Sequence, residues 1–178
     1  MSDEADGAVA ATPLEQALQR LLSDSALTAF RLNGQYLSAT ERLARPAGLT
    51  AAWWQVLGAV LAEPLPVAGV ARALGTTRQS VQRIADLLVE RGLATYEPNP
   101  AHRRAKLVTP TAAGREAIAR ITPGYTEFAA RLADELGGEA EFAEVLAAQE
   151  RLTAALEALE RREAAGEEDV ETAIGRGG

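Results

Sequence analysis

The stretch from Val67 to Thr111 leaves this chain few ways to fold. It reads VAGVARALG, TTRQSVQRIADLLVERGLA and TYEPNPAHRRAKLVTPT: a short helix, a turn, a longer helix, and two short strands joined by a basic loop. In the first helix Val67, Val70, Ala71 and Leu74 recur at i, i+3, i+4 and i+7, the spacing of one buried helical face. Pro66 suits its first turn, where a missing N–H is harmless. Gly75 ends it, because glycine enters the left-handed conformation without steric cost. Thr76 or Thr77 then caps the second helix by accepting a hydrogen bond from an orphan N–H. There Val81, Ile84, Ala85 and Leu88 form the second stripe, and Gly92 is the stop.

Two short helices bury such stripes only against each other and a third element. Gln79, Gln82, Arg83 and Asp86 are left on the open face of the second helix, with Thr77, Arg78 and Ser80 at its N-terminal end. Gln and Arg carry paired groups that fit adenine and guanine edges in the major groove. A merely solvated polar face is the plain alternative for that helix alone, and the next segment shifts the balance. Strands over Ala94–Glu97 and Ala105–Thr109 flank PNPAHRR, whose prolines and asparagine favour a tight, stiff loop. Its tip carries His102, Arg103 and Arg104, with Lys106 just beyond. A basic hairpin directly after a helix-turn-helix is placed to straddle a phosphate backbone and put an arginine into the minor groove. Residues 67 to 111 hold seven basic side chains against three acidic ones, a balance of +4 that leaves −11 for the rest of a chain of net charge −7. Positive potential is thus concentrated where phosphate would be met. Seventeen of the eighteen basic residues are arginine, a whole-chain bias that a GC-rich genome explains better than DNA binding does.

The flanks read as helix. Thr12, Pro13 and Glu15 make a capping box with proline at the first helical position. From there an apolar stripe through Leu14, Leu18, Leu21, Leu32 and Leu43 runs to a stop at Pro46 and Gly48. Thr50 caps a helix containing Trp53, Trp54, Val56, Leu57, Val60 and Leu61. After the loop, Thr111 starts a helix from Ala112 to Leu136, expected to bend at Pro123-Gly124. Gly137-Gly138 turn the chain into a last helix striped by Phe142, Val145, Leu146, Leu152, Leu156 and Leu159. The small and acidic residues 1 to 11, and the acidic, glycine-containing segment 163 to 178, read as disordered. The fold class is therefore mostly α: a winged helix-turn-helix lobe at 48–111 with a small β-hairpin wing, on helices 12–47 and 112–162. Those outer helices have more apolar face than one lobe covers. Pairing them with a second copy makes a C2 homodimer that sets two recognition helices about one DNA turn, roughly 34 Å, apart.

Absent residue types narrow the chemistry. With no cysteine there is no disulfide, thiolate nucleophile or thiol switch. One histidine in a loop argues against a metal site, and no Gly-rich phosphate loop or spaced carboxylate pair suggests an enzyme. No catalytic residue, metal or cofactor is expected. No apolar run approaches the ~20 residues that cross a bilayer, and no signal peptide opens the chain, so a cytoplasmic, nucleoid-associated protein without membrane contact is expected.

The succession LTAAWWQVL, VAGVARALGTTRQSVQRIADLLVERGLA and NPAHRRAKLVTPTAAG resembles the multiple-antibiotic-resistance regulator (MarR) family, closely over residues 48 to 115 and more loosely over 12 to 162. The resemblance implies a bacterial, homodimeric winged-helix transcription regulator, most often a repressor, released from DNA by a small and frequently phenolic ligand. Two positions depart from the family pattern. Its wing usually reads Asp-x-Arg, with the aspartate orienting the wing; here His102 replaces the aspartate and Arg104 keeps the arginine. Pro110 replaces a usual leucine, so the second wing strand is expected to end by Thr109. An aromatic effector would need an aromatic wall, for which Trp53 and Trp54, with Phe30 and Tyr36, are the candidates. We favour the plainer reading, in which both tryptophans pack the seam between scaffold and lobe. The competing function class is a winged-helix protein-interaction module whose basic face meets an acidic partner instead of DNA.

Overall fold

A computed structural model describes residues 12–102 and 104–175, so the expectation of disorder at 1–11 falls outside the described residues. The elements are α1 (Pro13–Ala44) with a 3-10 turn at Arg45–Ala47, α2 (Ala51–Ala59), β1 (Leu65–Pro66), α3 (Val67–Ala73), α4 (Arg78–Glu90), β2 (Ala94–Glu97), β3 (Leu107–Pro110), α5 (Ala112–Leu136) and α6 (Glu139–Gly175). They form a mostly helical fold with a three-stranded antiparallel sheet of order β1-β3-β2. The chain divides into two compact units, one running to Pro123 and the other beginning at Gly124, within α5. α1 therefore belongs to the same unit as the winged-helix elements.

The caps fall where local chemistry puts them. At the start of α1, Thr12 accepts from the Glu15 N–H and the Glu15 carboxylate accepts from the Thr12 N–H at 2.6 Å. Thr50 caps α2, and Glu41 of α1 accepts from the Ala51 N–H at 2.7 Å, so α1 also secures the first turn of α2. Gly75 and Gly92 stop α3 and α4 at φ +59° and +69°. The core of the first unit joins Val56, Leu57 and Val60 to Val70 and Ala71 of α3, Val81, Ala85 and Leu88 of α4, Val108 of β3, and Ala117 and Ile121 of α5.

α5 is latched to the end of α4. The Thr111 hydroxyl donates to the Gly92 carbonyl at 2.7 Å, and the Thr111 N–H donates to the Leu93 carbonyl at 3.1 Å. Gly114 packs so closely that an added Cβ would overlap that same Leu93 carbonyl oxygen. Arg115 and Arg120 reach back to the Leu61 and Ala47 carbonyls.

Four expectations are corrected. α2 ends at Ala59, so Val60 and Leu61 lie in the following turn; Val60 is still fully buried, and its stripe position was met without helix. Pro66 sits in β1 rather than in the first turn of α3, pairing with Leu107. A short edge strand tolerates the missing donor. β3 spans Leu107–Pro110 instead of Ala105–Thr109. A turn bond from the Ala105 N–H to the His102 carbonyl at 3.0 Å holds Ala105 out of the ladder. Pro110 pairs with Ala94 alone, because β1 reaches only Val108 and Leu107, and so it joins the strand end without interrupting two ladders. Finally, residues 163–175 continue α6 rather than forming a disordered tail. A run rich in Glu and Ala has helix propensity without an apolar stripe. Residues 176–178 are not described.

Candidate nucleic-acid interface

α4 presents its open face from a firmly set N-terminus. The Thr77 hydroxyl accepts from the Ser80 N–H at 3.2 Å and donates to the Ser80 hydroxyl at 2.9 Å, so both expected contact residues take part in the cap. Val81, Ala85 and Leu88 fix the buried side, which turns Arg78, Gln79, Gln82 and Arg83 outward. Within the described residues, no hydrogen bond or ion pair engages the side chains of Arg78, Gln79 or Arg83. The preceding α3 is buried through Val67, Val70 and Ala71, giving the two-helix support that the sequence pattern predicts.

Gln82 differs from its neighbours. Its amide nitrogen donates to the Asp86 carboxylate at 2.9 Å and to the Tyr96 hydroxyl at 2.7 Å, and that hydroxyl donates to the same Asp86 oxygen at 2.7 Å. The recognition helix and the first wing strand are thereby joined through three side chains. Burial, and then the hydrogen bond to Asp86, push the Tyr96 phenol up from its ordinary 10.0 to about 12. The Lys106 ammonium stands 6.0 Å from the centre of the Tyr96 ring. Tyr96 was not among the residues singled out from sequence. Period-2 alternation in TYE places it on one face of the strand, but its partner lies across the lobe on another element.

The wing tip is ordered by Asn99. Its side-chain oxygen accepts from the N–H groups of Ala101 at 2.9 Å and His102 at 3.3 Å, an Asx turn that stiffens the loop. His102 is exposed and joins the turn through its backbone. Arg103 lies outside the described residues. Arg104 and Lys106 are exposed, and both border a cleft of about 320 Å³ with Arg78 and Gln82 of α4, Tyr96 of β2 and Pro66 to Ala68 at the start of α3. Three cations from helix and wing thus converge on one concavity. Pro66 of β1 and Val67 and Ala68 of α3 also line it, and none of the three was among the expected site residues.

The four aromatic candidates for an effector wall are not alike. Phe30 is 73% exposed and Tyr36 is 42% exposed on α1, whereas Trp53 and Trp54 are partly buried against the lobe core. The Arg91 guanidinium at the end of α4 sits 4.9 Å from the centre of the Trp53 ring. No helix among the described residues is long and apolar enough to cross a membrane.

Helix pair, hairpin wing and converging cations define a winged helix-turn-helix of the kind found in transcription regulators. The sequence pattern of the MarR family matches residues 47–105. An uncharacterised protein of Mycobacterium tuberculosis is 39% identical over 121 residues, which are 68% of this chain and 82% of that protein. Among solved structures, the M. tuberculosis regulator MosR in complex with DNA aligns with a TM-score of 0.61 at 23% identity, over 73% of this chain and 96% of that one. CouR from Rhodococcus jostii, solved with p-coumaroyl-CoA bound, aligns with a TM-score of 0.52 at 27% identity, over 61% and 80%. The chain belongs to the MarR family of winged-helix, DNA-binding transcription regulators, which are not enzymes.

Proposed function

We propose that this protein is a homodimeric repressor that binds a pseudo-palindromic operator, with α4 in the major groove and the wing at the adjacent minor groove. The observation that carries the reading is the convergence of Arg78, Arg104 and Lys106 on one cleft beside the open face of α4. Arg83 and Gln79 contact base edges; Arg78, Thr77 and Ser80 lie at the helix end nearest the backbone. Arg104 reaches into the minor groove, and Arg103, Lys106 and His102 meet phosphates. The homodimer is supported by apolar side chains that the single chain leaves open, Leu18 and Leu21 on α1 and Leu152, Leu156 and Leu159 on α6 among them.

Release by a small aromatic ligand is the regulatory half of the proposal. Its support is the p-coumaroyl-CoA held by CouR, together with Trp53, Trp54, Tyr36 and Phe30 on α1 and α2. Selection of bound sequences from random duplex DNA by the purified protein tests the first half. A two-fold-symmetric site is expected, and binding without sequence preference overturns it. Aromatic acids and their thioesters should quench tryptophan fluorescence and displace the selected duplex; neither effect across such a panel rejects the effector.

A further inference from the structure

A free glutamine side chain offers one donor and one acceptor side by side, which matches the N7 acceptor and N6 donor of adenine. Gln82 is not free in this sense. The Asp86 carboxylate only accepts hydrogen bonds, so the group facing it at 2.9 Å must be the Gln82 NH₂ and not its carbonyl. The Tyr96 hydroxyl has a single proton, and that proton is directed to the same Asp86 oxygen at 2.7 Å. Its oxygen is therefore left to accept the second Gln82 amide hydrogen, at 2.7 Å. The three short distances close a tight triangle, so the NH₂ edge of the amide is turned into the protein through bent hydrogen bonds, and the amide orientation follows from the chemistry of its partners. What remains on an exposed side chain at the open face of α4 is the carbonyl oxygen.

We infer that Gln82 faces the DNA as a hydrogen-bond acceptor alone, locked by Tyr96 and Asp86, and selects an amino base over a keto base at one position of each half-site. This rests on the proposed entry of α4 into the major groove. Adenine and cytosine present an amine there, N6–H₂ and N4–H₂, whereas guanine and thymine present carbonyl oxygens that repel another acceptor. Tyr96 is a positioning residue in this scheme: it touches no base and sets what Gln82 can say to one.

The test uses the full chain and duplexes carrying each of the four bases at the position that Gln82 governs, identified as the one levelled by Gln82→Ala. Wild type should bind adenine and cytosine within about threefold of each other, and guanine and thymine about tenfold or more weakly, the scale of a base-edge hydrogen-bond mismatch. Tyr96→Phe keeps the ring but frees one amide hydrogen, which can then reach adenine N7; adenine should now exceed cytosine by about tenfold. In the free protein, the Gln82 side-chain amide protons should resonate as hydrogen-bonded, and one should return to the free position in Tyr96→Phe. The inference is overturned if wild type selects adenine alone, if Tyr96→Phe leaves the base order unchanged, if Gln82→Ala levels no position, or if both amide protons are free in wild type. Failure of wild type to prefer any duplex sinks the DNA reading itself, and is told apart by the amide resonances, which need no DNA.

Discussion

Leucine is put to opposite uses in two regions of this chain. In the winged-helix lobe Leu57 and Leu88 are fully buried, as are Val56, Val70, Val81 and Val108 around them. Along α1 and α6, Leu14, Leu18, Leu21, Leu156 and Leu159 stand largely open to solvent in the single chain. Every buried hydrophobic residue among the described ones falls between Ala39 and Ile121. The lobe closes its own core with one copy of the sequence. Among the described residues the leucines of the long helices are left uncovered, and the proposed second copy is what would complete that surface. Charge divides along similar lines: the helix-wing segment is net positive and the remainder strongly negative.

The comparison can be broken most decisively at the C-terminus. Removing residues 139–178 should leave the lobe folded, abolish dimerisation and lower operator affinity by about 100-fold or more, since two linked half-sites are lost to one. Sedimentation and a gel-shift read both effects, and a truncated protein that stays dimeric would refute the assignment of α6. A core substitution sharpens the other side. Leu57→Ala should cost the lobe about 2–5 kcal/mol in denaturant unfolding. Leu18→Ala should shift dimer dissociation with protein concentration while leaving lobe unfolding within about 0.5 kcal/mol.

Within the lobe, the expected effects are smaller and divide helix from wing. Arg83→Ala should lose about 1–3 kcal/mol of discrimination at one position per half-site. Lys106→Ala should weaken all sequences alike and reduce the slope of log affinity against log salt by about 0.9. If Lys106→Ala alters base preference instead, the roles of helix and wing have been exchanged. The least perturbing measurement is a titration. Comparing ultraviolet absorbance of wild type and Tyr96→Phe should reveal a phenol with a midpoint of about 12, above its ordinary 10.0. The sign follows: a neutral phenol favoured by the fold contributes its stability fully below pH 10 and loses it as pH rises towards 12. A midpoint near 10.0 would mean that the link to Asp86 is not made in solution.

Most of the lobe was legible because its signals are local. Stripes at helical spacing, threonine caps and terminal glycines each act within a turn or two, so α3, α4 and the bounds of α5 follow from a few adjacent residues. β1 was not legible, because two residues containing a proline carry no strand signal; only pairing with Leu107 and Val108 makes them one. Nor was the helical course of residues 163–175, where propensity acts without an apolar stripe. At the candidate site, the outward face of α4 was readable from Val81, Ala85 and Leu88. The lock on Gln82 was not, because Tyr96 lies fourteen positions away on a different element and meets it only after the wing folds back.

Thr111 sets where the wing departs from the helices and where it returns. One residue closes both ends of the segment that begins after α4 and ends before α5, through its hydroxyl on Gly92 and its N–H on Leu93. Between those ends Ala94 and Val108 are buried in the lobe core, and Tyr96 ties β2 to Gln82 and Asp86 of α4. At the exposed tip, where His102 stands, the Asn99 side chain closes the turn. The Thr111 clasp thus fixes where the wing strands leave α4 and rejoin α5, independently of the exposed loop between β2 and β3.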